Sequence, residues 1–496
     1  MTELPYNLFR AGQVREMDRI AIDDLEIPGR TLMERAGAAV FRALRAQWPD
    51  LSRVAVVCGL GNNGGDGYVV ARLAREAGLQ VMVLQLGDVN KVHGDALGML
   101  EGLRAAGIEP QPFDADMLPD AEVIVDAVFG TGIDREVSGE WRAAIEAINH
   151  SGLPVVAVDI PSGLNADTGH SLGAAVYAAL TVTFVGAKQG LFTGDGPDCC
   201  GAVMFDDLQV PGEALSGVRP TAFRLTYPGM SRLLGPRHRA AHKGEFGHVL
   251  VIGGDHGMAG AVRLAGEAAL RAGAGLVSVA TRREHAPIVC APCPELMCHG
   301  IEDVTGLQHL LSKASVVAIG PGLGQGAWAR HMFRRVLECS LPLVVDADAL
   351  NLLAGEPLRR GNWVLTPHPG EAGRLLGITA KDVQADRFAA VNALHQRYGG
   401  VVVLKGAGTL IFDGGGPVDI CCGGNPGMAS GGMGDALTGI ITSLIGQGMS
   451  LIDAARLGVC LHAQAGDLAA REGERGMVAS DLIQYLRFLG NPPDNP

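Results

Sequence analysis

From Val54 onward the sequence alternates short apolar runs with stretches of helical periodicity, and many of the runs end in a glycine turn or an acid. This is the signature of βαβ units, because parallel strands must be joined by a crossover and the crossover is usually a helix. The runs predict strands at Val54–Cys58, Val81–Leu86, Val123–Asp126 and Val155–Asp159. A helix precedes them, in which Leu32, Met33, Ala36, Val40 and Leu44 share one face. A second series predicts strands at Val249–Gly253, Leu276–Ala280, Val316–Gly320, Leu343–Asp346, Val364–Thr366 and Val401–Lys405. Between the two series, residues 210–230 are rich in Pro, Gly and Ser and hold no sustained period. A chain of 496 residues is too long for one core. The expected fold is therefore α/β in two domains, residues 1–219 and 224–496, the first a Rossmann-like three-layer sandwich.

The composition fits large cores and excludes some partners. Hydrophobic residues make up 47% and charged residues 19%, which is not the balance of a disordered chain. The 40 basic residues against 53 acidic ones give a net charge of -13, which opposes binding to nucleic acid or to an anionic membrane. The stretches His170–Ala187 and Ala436–Ile452 lack Asp, Glu, Lys and Arg, but both are short of the roughly 20 apolar residues a membrane span requires. The first residues show no basic segment followed by an apolar one, so a cytoplasmic protein is expected, as is a homo-oligomer. Ten cysteines include the adjacent pairs Cys199–Cys200 and Cys421–Cys422, neither of which can close an ordinary disulfide. Cys290, Cys293, Cys298 and the neighbouring His299 lack the second close pair of a structural zinc site and are expected to be reduced thiols.

The stretch around Gly59, Gly61 and Gly64 reads as strand, glycine-rich turn and helix, and matches the G-x-G-x-x-G spacing that brings backbone N–H groups to a phosphate. A dinucleotide-binding dehydrogenase would need no more. Asn62, Asn63 and Asp66 add polar groups that such a loop does not require, although turn-forming residues also explain them. Asp126 and Asp159 follow two further strands, each before a glycine-containing turn, and Ser162 lies just beyond the second. Helix capping accounts for a lone acid there. Convergence at the carboxyl ends of parallel strands accounts for several.

These segments, GNNGGDG, DAVFGTG and DIPSGLNADTG, together with LMERAG and TVTFVGAKQGL, resemble the NAD(P)H-hydrate epimerase family over about the first 215 residues. The resemblance implies a potassium ion held by Asn63, Asp126 and Ser162. It implies substrate contacts from Asn62, Asn63, Gly64, Gly65 and Asp66, from Gly130, Thr131, Gly132, Ile133, Asp134, Arg135 and Glu136, and from Asp159. Epimerisation at a hydroxylated ring carbon needs proton transfer, for which Asp159 is the candidate and Lys188 a helper. A solvated surface lysine is the alternative reading of Lys188.

In the second half, NPGMASGGMGDALTGIITSLIG (residues 425–446) takes a glycine-dense turn into a helix on which Leu437, Ile440, Ile441 and Leu444 are spaced as one face. Asp435 falls at the helix start, beside N–H groups suited to phosphate charge, where it serves either as a cap or as a base. The GxGD pattern resembles ribokinase-like kinases, in which this Asp deprotonates a hydroxyl that attacks a nucleotide phosphate. IGGDHGMAGA, GPGLG, VVDADALNLL, LTPHPGEAGRLLG and VVVLKGAGTLI resemble the ADP/ATP-dependent NAD(P)H-hydrate dehydratase family over about residues 235–470.

That resemblance implies hydrated dinucleotide at Ala261, Gly324, His368 and Asp435, and nucleotide at Lys405, Gly406, Ala407, Gly408, Thr409 and Gly434. It implies Asp435 as general base, ADP or ATP as co-substrate and magnesium as phosphate counterion. Asp346 and Asp348 either shape the pocket or cap a helix. The expected ligands are hydrated NADH or NADPH and ADP or ATP. A small-alcohol kinase joined to an unrelated domain is the rival enzyme reading, and a binding scaffold in the first half is the non-enzyme one.

Overall fold

Val54, Val56 and Val57 are fully buried in the strand Arg53–Cys58, as a parallel strand covered on both faces requires. In the computed structural model, which describes residues 3–492, two units divide between Arg224 and Leu225. The first holds seven parallel strands in the order Gln111–Pro112, Gln80–Gln85, Arg53–Cys58, Val123–Ala127, Val155–Val158, Leu180–Phe184 and Ala202–Asp206. The chain moves outward from Arg53–Cys58 to one edge and then returns to its other side at Val123–Ala127. That is a topological switch point, with a crevice beyond the carboxyl ends of these two strands. Val54, Val56 and Cys58 pack with residues of the helices Gly29–Gln47, Asn62–Glu76 and Gly94–Ala105 on one face. Ala55 and Val57 pack with Ala144, Ile145 and Ile148 of helix Gly139–His150 on the other.

The second unit carries six parallel strands at the places the sequence predicts, with Val401–Leu404, Trp363–Leu365, Leu343–Val345, Val316–Ile319, His248–Ile252 and Leu276–Thr281 side by side. Met297–Gly300 extends one edge in parallel, and Thr409–Phe412 and Val418–Cys421 extend the other antiparallel. Helices Ala259–Arg271, Met433–Gly446, Leu451–Ala469 and Ala479–Leu489 contribute to one large core cluster. A Cβ on Gly439 would come 2.0 Å from the Ala265 carbonyl oxygen, so two of these helices meet backbone to backbone.

The edge strands and Leu180–Phe184 are not among the strands that the sequence predicts. In that strand Thr181 and Thr183 alternate with apolar residues, yet both are fully buried, so the pattern looks half exposed when it is not. Among the described residues no helix is long and apolar enough to cross a membrane.

Candidate active sites

In the first unit, helix Asn62–Glu76 begins inside the glycine motif, so Asp66 stands on the helix and not in a loop as the sequence reading has it. The reason is steric. A Cβ on Gly59 would lie 2.0 Å from the Val128 carbonyl oxygen and one on Gly64 2.2 Å from that of Gly59, while neither glycine has positive φ. Close backbone approach, not turn geometry, selects glycine here. The motif opens onto a cavity of about 1030 Å³ lined by Asn62, Asn63, Asp66, Gly130–Val137, Asp159 and Lys188 among others. Gly64, Gly65, Asp126 and Ser162 are buried behind that surface.

Asp126 is fully buried at the end of its strand, and its carboxylate accepts from Ser162 N at 2.8 Å, Ser162 Oγ at 2.6 Å and Val128 N at 3.2 Å. Burial pushes its carboxyl up to about 6, against these hydrogen bonds. Its donors are neutral. The Asn63 Nδ2 is buried without a hydrogen-bond partner, and Asn63 Oδ1 would lie 3.6 Å from a Cβ on Gly130. A buried carboxylate supported only by neutral donors, with hydroxyl and amide oxygens in the same set, fits a hard cation.

Asp159 directly follows Val155–Val158 and takes φ +66, a left-handed conformation that Asp tolerates better than most residues. Its Oδ1 accepts from Thr183 Oγ1 and the Phe184 amide, both at 3.2 Å, and forms a close ion pair with Lys188. Lys188 is 1% exposed, and its Nζ also donates to Phe184 O at 3.0 Å. It is therefore no surface lysine.

In the second unit, Gly432 at φ +91 caps helix Met433–Gly446, so the capping explanation for Asp435 fails; the acid lies in the first turn. Burial, reinforced by Asp346 and opposed by Lys405, pushes the Asp435 carboxyl up to about 7. Asp346 begins helix Ala347–Gly355 but gives it no side-chain cap. Instead Asp346 receives Lys405 Nζ at 2.7 Å and Thr438 Oγ1 at 2.8 Å. Asp348 accepts from the Gly324 amide at 2.8 Å, so both acids hold other residues of the candidate site.

The nucleotide candidates lie on a loop in which Gly406 and Gly408 have φ +136 and +61. Arg387, fully buried, donates to the carbonyls of Leu404 at 3.1 Å, Lys405 at 3.3 Å and Gly408 at 3.4 Å, and so holds Ala407 and Thr409 in place. A Cβ on Gly434 would lie 3.3 Å from Lys405 Nζ, which brings that loop against the helix start. His368 caps helix Pro369–Leu376 through Nδ1, which accepts from the Gly370 amide at 3.0 Å, and its side chain is half exposed. Burial and the Lys405 charge lower its pKa, which favours neutral imidazole. Ala261 lies in the first turn of Ala259–Arg271, 3.1 Å from where a Gly322 Cβ would be.

The chain matches the NAD(P)H-hydrate dehydratase family over residues 249–487 and the YjeF-related protein N-terminus family over 29–190. It is 51% identical to a bifunctional NAD(P)H-hydrate repair enzyme of Coxiella burnetii over 98% of this chain and 99% of that one. It is 45% identical to the enzyme of that name from Escherichia coli, over 99% and 95%. The chain belongs to the bifunctional NAD(P)H-hydrate repair enzyme family. A solved ribokinase-like superfamily protein from Enterococcus faecalis matches with TM-score 0.52 and 30% identity, covering 56% of this chain and 98% of that protein.

Within this repair-enzyme fold, three groups at the sites escape the sequence reading. Asp18 lines the first cavity, Glu371 lies 3.8 Å from Lys405 Nζ, and Arg387 supports the 405–409 loop. Asp18 carries a signal in its spacing, since it shares a helical stripe with the buried Ala11, Val14 and Ala21. Arg387 carries none, because its partners are backbone carbonyls distant in sequence. Cys290 and Cys293 donate weakly to Pro287 O and Glu295 Oε2, both at 3.5 Å. Among the described residues the one convergence of three metal-donor side chains is instead His256, Glu284 and His285.

Proposed function

We propose that the chain restores hydrated NADH and NADPH in two stages: the first unit interconverts the R and S hydrates, and the second dehydrates the S form at the expense of ADP or ATP. The observation that carries this reading is that one chain holds two distinct acid sites, each matched over its own segment to a half of the repair-enzyme family.

In the first unit the Asp159–Lys188 pair, a buried lysine with a part-buried acid at a strand end facing the cavity, moves the proton at the substrate hydroxyl. Asn63, Asp126 and Ser162 would hold potassium, which supplies positive charge beside the dinucleotide phosphates. Asn62, Asp66 and residues 130–136 line the dinucleotide's path, with Gly64 and Gly65 packed behind them.

In the second unit the hydroxyl of the bound hydrate gives its proton to Asp435 as its oxygen attacks the terminal phosphate of the co-substrate; phosphate then leaves with that oxygen and the electron pair of its carbon–oxygen bond, and a proton leaves the neighbouring ring carbon so that the double bond of the dihydronicotinamide re-forms. The raised Asp435 carboxyl is poised near neutrality for that role. Ala261, Gly324 and His368 contact the hydrate; Lys405–Thr409 and Gly434 contact the nucleotide. Asp346 and Asp348 lie at this site, engaged with Lys405, Thr438 and the Gly324 amide, and magnesium would serve beside them as counterion of the nucleotide phosphates.

The test supplies a mixture of both hydrate epimers with ADP and, separately, with ATP, and follows reduced-nicotinamide absorbance. Full recovery is expected with at least one nucleotide. Recovery that stops near the fraction of one epimer would remove the epimerase reading, and no recovery would remove the dehydratase reading.

A further inference from the structure

The helix Ala11–Arg19 buries Ala11, Val14 and Met17 and places Asp18 beside that buried stripe, half-buried and open to the first unit's cavity. Taking the charge of such an acid partly out of water costs free energy unless the acid is paired or protonated. The helix is fixed relative to Lys188. Phe9 N donates to Ala187 O at 2.9 Å, Gln189 N donates to Phe9 O at 2.9 Å, and Ala11 N donates to Asp167 Oδ1 at 2.7 Å. Asp18 therefore sits on a rigid neighbour of the Asp159–Lys188 pair. The charges acting on it from the other elements are Lys188, which favours its ionised form, and Asp159, which opposes it; Asp18 in turn acts on Asp66. Three carboxyls, Asp18, Asp66 and Asp159, are thus coupled to the one ammonium of Lys188, in a cavity whose other charged lining side chains are Arg15, Asp95, Asp134, Arg135 and Glu136.

An ammonium paired to one acid cannot keep all three ionised out of water, so at least one carboxyl carries a proton at neutral pH, and burial favours the proton on Asp66 as well as on Asp18. Burial is the largest effect on Asp18 and pushes it up to about 6, so it exchanges protons with solvent in the working range. Asp159 differs: its Oδ1 already accepts from Lys188, Thr183 and the Phe184 amide. The cavity holds a donor and an acceptor.

We propose that Asp18 is a second proton-transfer residue of the epimerase cavity, working in alternation with Asp159. This rests on the epimerase reading of the first unit. The hydroxyl of the hydrate sits on the ring carbon beside the nitrogen. Asp18 gives its proton to that hydroxyl; the carbon–oxygen bond breaks with its electron pair leaving on water, and the nitrogen lone pair forms a double bond to the carbon. Water then adds through its oxygen to the other face, the double-bond pair returns to nitrogen, and the extra proton passes to Asp159. The reverse reaction uses the same two groups in exchanged roles. Atoms and charge balance, and one acid working alone would have to serve both faces of the ring.

The experiment uses the full chain with purified R hydrate and measures epimerisation as kcat, KM and a pH profile for wild type, Asp18→Asn and Asp18→Glu, with dehydration of S hydrate by the same preparations as the control for intact protein. Asp18→Asn is expected to lower epimerisation kcat on the order of 100-fold, with KM changed less than threefold and one limb of the pH profile gone. Asp18→Glu, which keeps a proton-carrying carboxyl, is expected to recover at least a tenth of the wild-type rate with that limb restored. An Asn variant within threefold of wild type, an effect confined to KM, or a Glu variant as inactive as the Asn one would overturn the proposal while leaving the epimerase reading intact. Absence of epimerisation in the wild type would overturn both.

Discussion

Lys405 Nζ lies 2.7 Å from Asp346 Oδ1 and reaches toward Glu371 Oε2 at 3.8 Å. Burial alone would lower the lysine's pKa, but the two acids raise it above its usual value. The lysine is thus the counterion of two buried carboxylates before any phosphate arrives. Lys405→Met would leave both acids unpaired and is expected to cost roughly 3–5 kcal/mol, along with dehydratase activity. Lys405→Met/Asp346→Asn should recover part of that stability without recovering activity. Urea midpoints of the two variants check this: equal midpoints would mean that the pair is not coupled.

Asp435 gives a prediction with a defined sign. Its folded carboxyl titrates near 7 against an ordinary value of 3.8. Below pH 4 folded and unfolded chains both hold the proton. Between about 4 and 7 the unfolded chain releases it first, so this group's contribution to stability falls as pH rises through that window. Asp435→Asn is expected to abolish dehydration, by 100-fold or more, and to melt at a higher temperature than wild type above pH 7 with no such advantage at pH 4. A Tm difference independent of pH would contradict the assignment of burial as the cause.

Much of this was readable in the residues, and the losses have physical reasons. Strands such as Val316–Ile319 are apolar throughout because both faces are covered, and the two glycine motifs stand where their strands end. Capping and pocket roles for Asp346 could not be separated in one dimension, because the deciding partners, Lys405 and Thr438, lie 59 and 92 residues away. Asp66 was misplaced because glycines chosen for close approach look the same as glycines chosen for a turn. Arg387 was invisible for the same kind of reason as Asp346: nothing local distinguishes a guanidinium destined for the carbonyls of a distant loop.

That loop yields a third prediction. Arg387 donates through Nη1 to Gln384 Oε1 at 2.7 Å and through Nη2 to the three loop carbonyls, a two-pronged geometry that lysine cannot reproduce. Arg387→Lys is expected to raise KM for the nucleotide about tenfold or more while KM for the hydrate changes little. Equal changes in both constants would place the effect in the fold of the unit and not in the loop.

Asp126 can be tested through its counterion. With only neutral donors around a fully buried carboxylate, bound potassium should stabilise the folded chain by mass action. Tm in potassium chloride is expected to exceed Tm in lithium chloride at equal ionic strength, and Asp126→Asn to remove the difference together with most epimerisation. A variant that kept the full potassium response would show that the ion binds elsewhere.

Gly64 separates the two activities. A Cβ there would stand 2.2 Å from the Gly59 carbonyl oxygen and 2.9 Å from its carbon, both backbone atoms that no rotamer change can move aside. Gly64→Ala must push helix Asn62–Glu76 away from the strand that ends at Cys58, at a cost on the order of 1–3 kcal/mol. Asn62, Asn63 and Asp66 ride on that helix, so the displacement moves the polar groups that line the cavity. Epimerisation is expected to fall at least tenfold, while dehydration of pure S hydrate stays within twofold of wild type. If both activities fell in parallel, the steric explanation of the glycine would be insufficient, and the substitution would be acting through the stability of the whole chain.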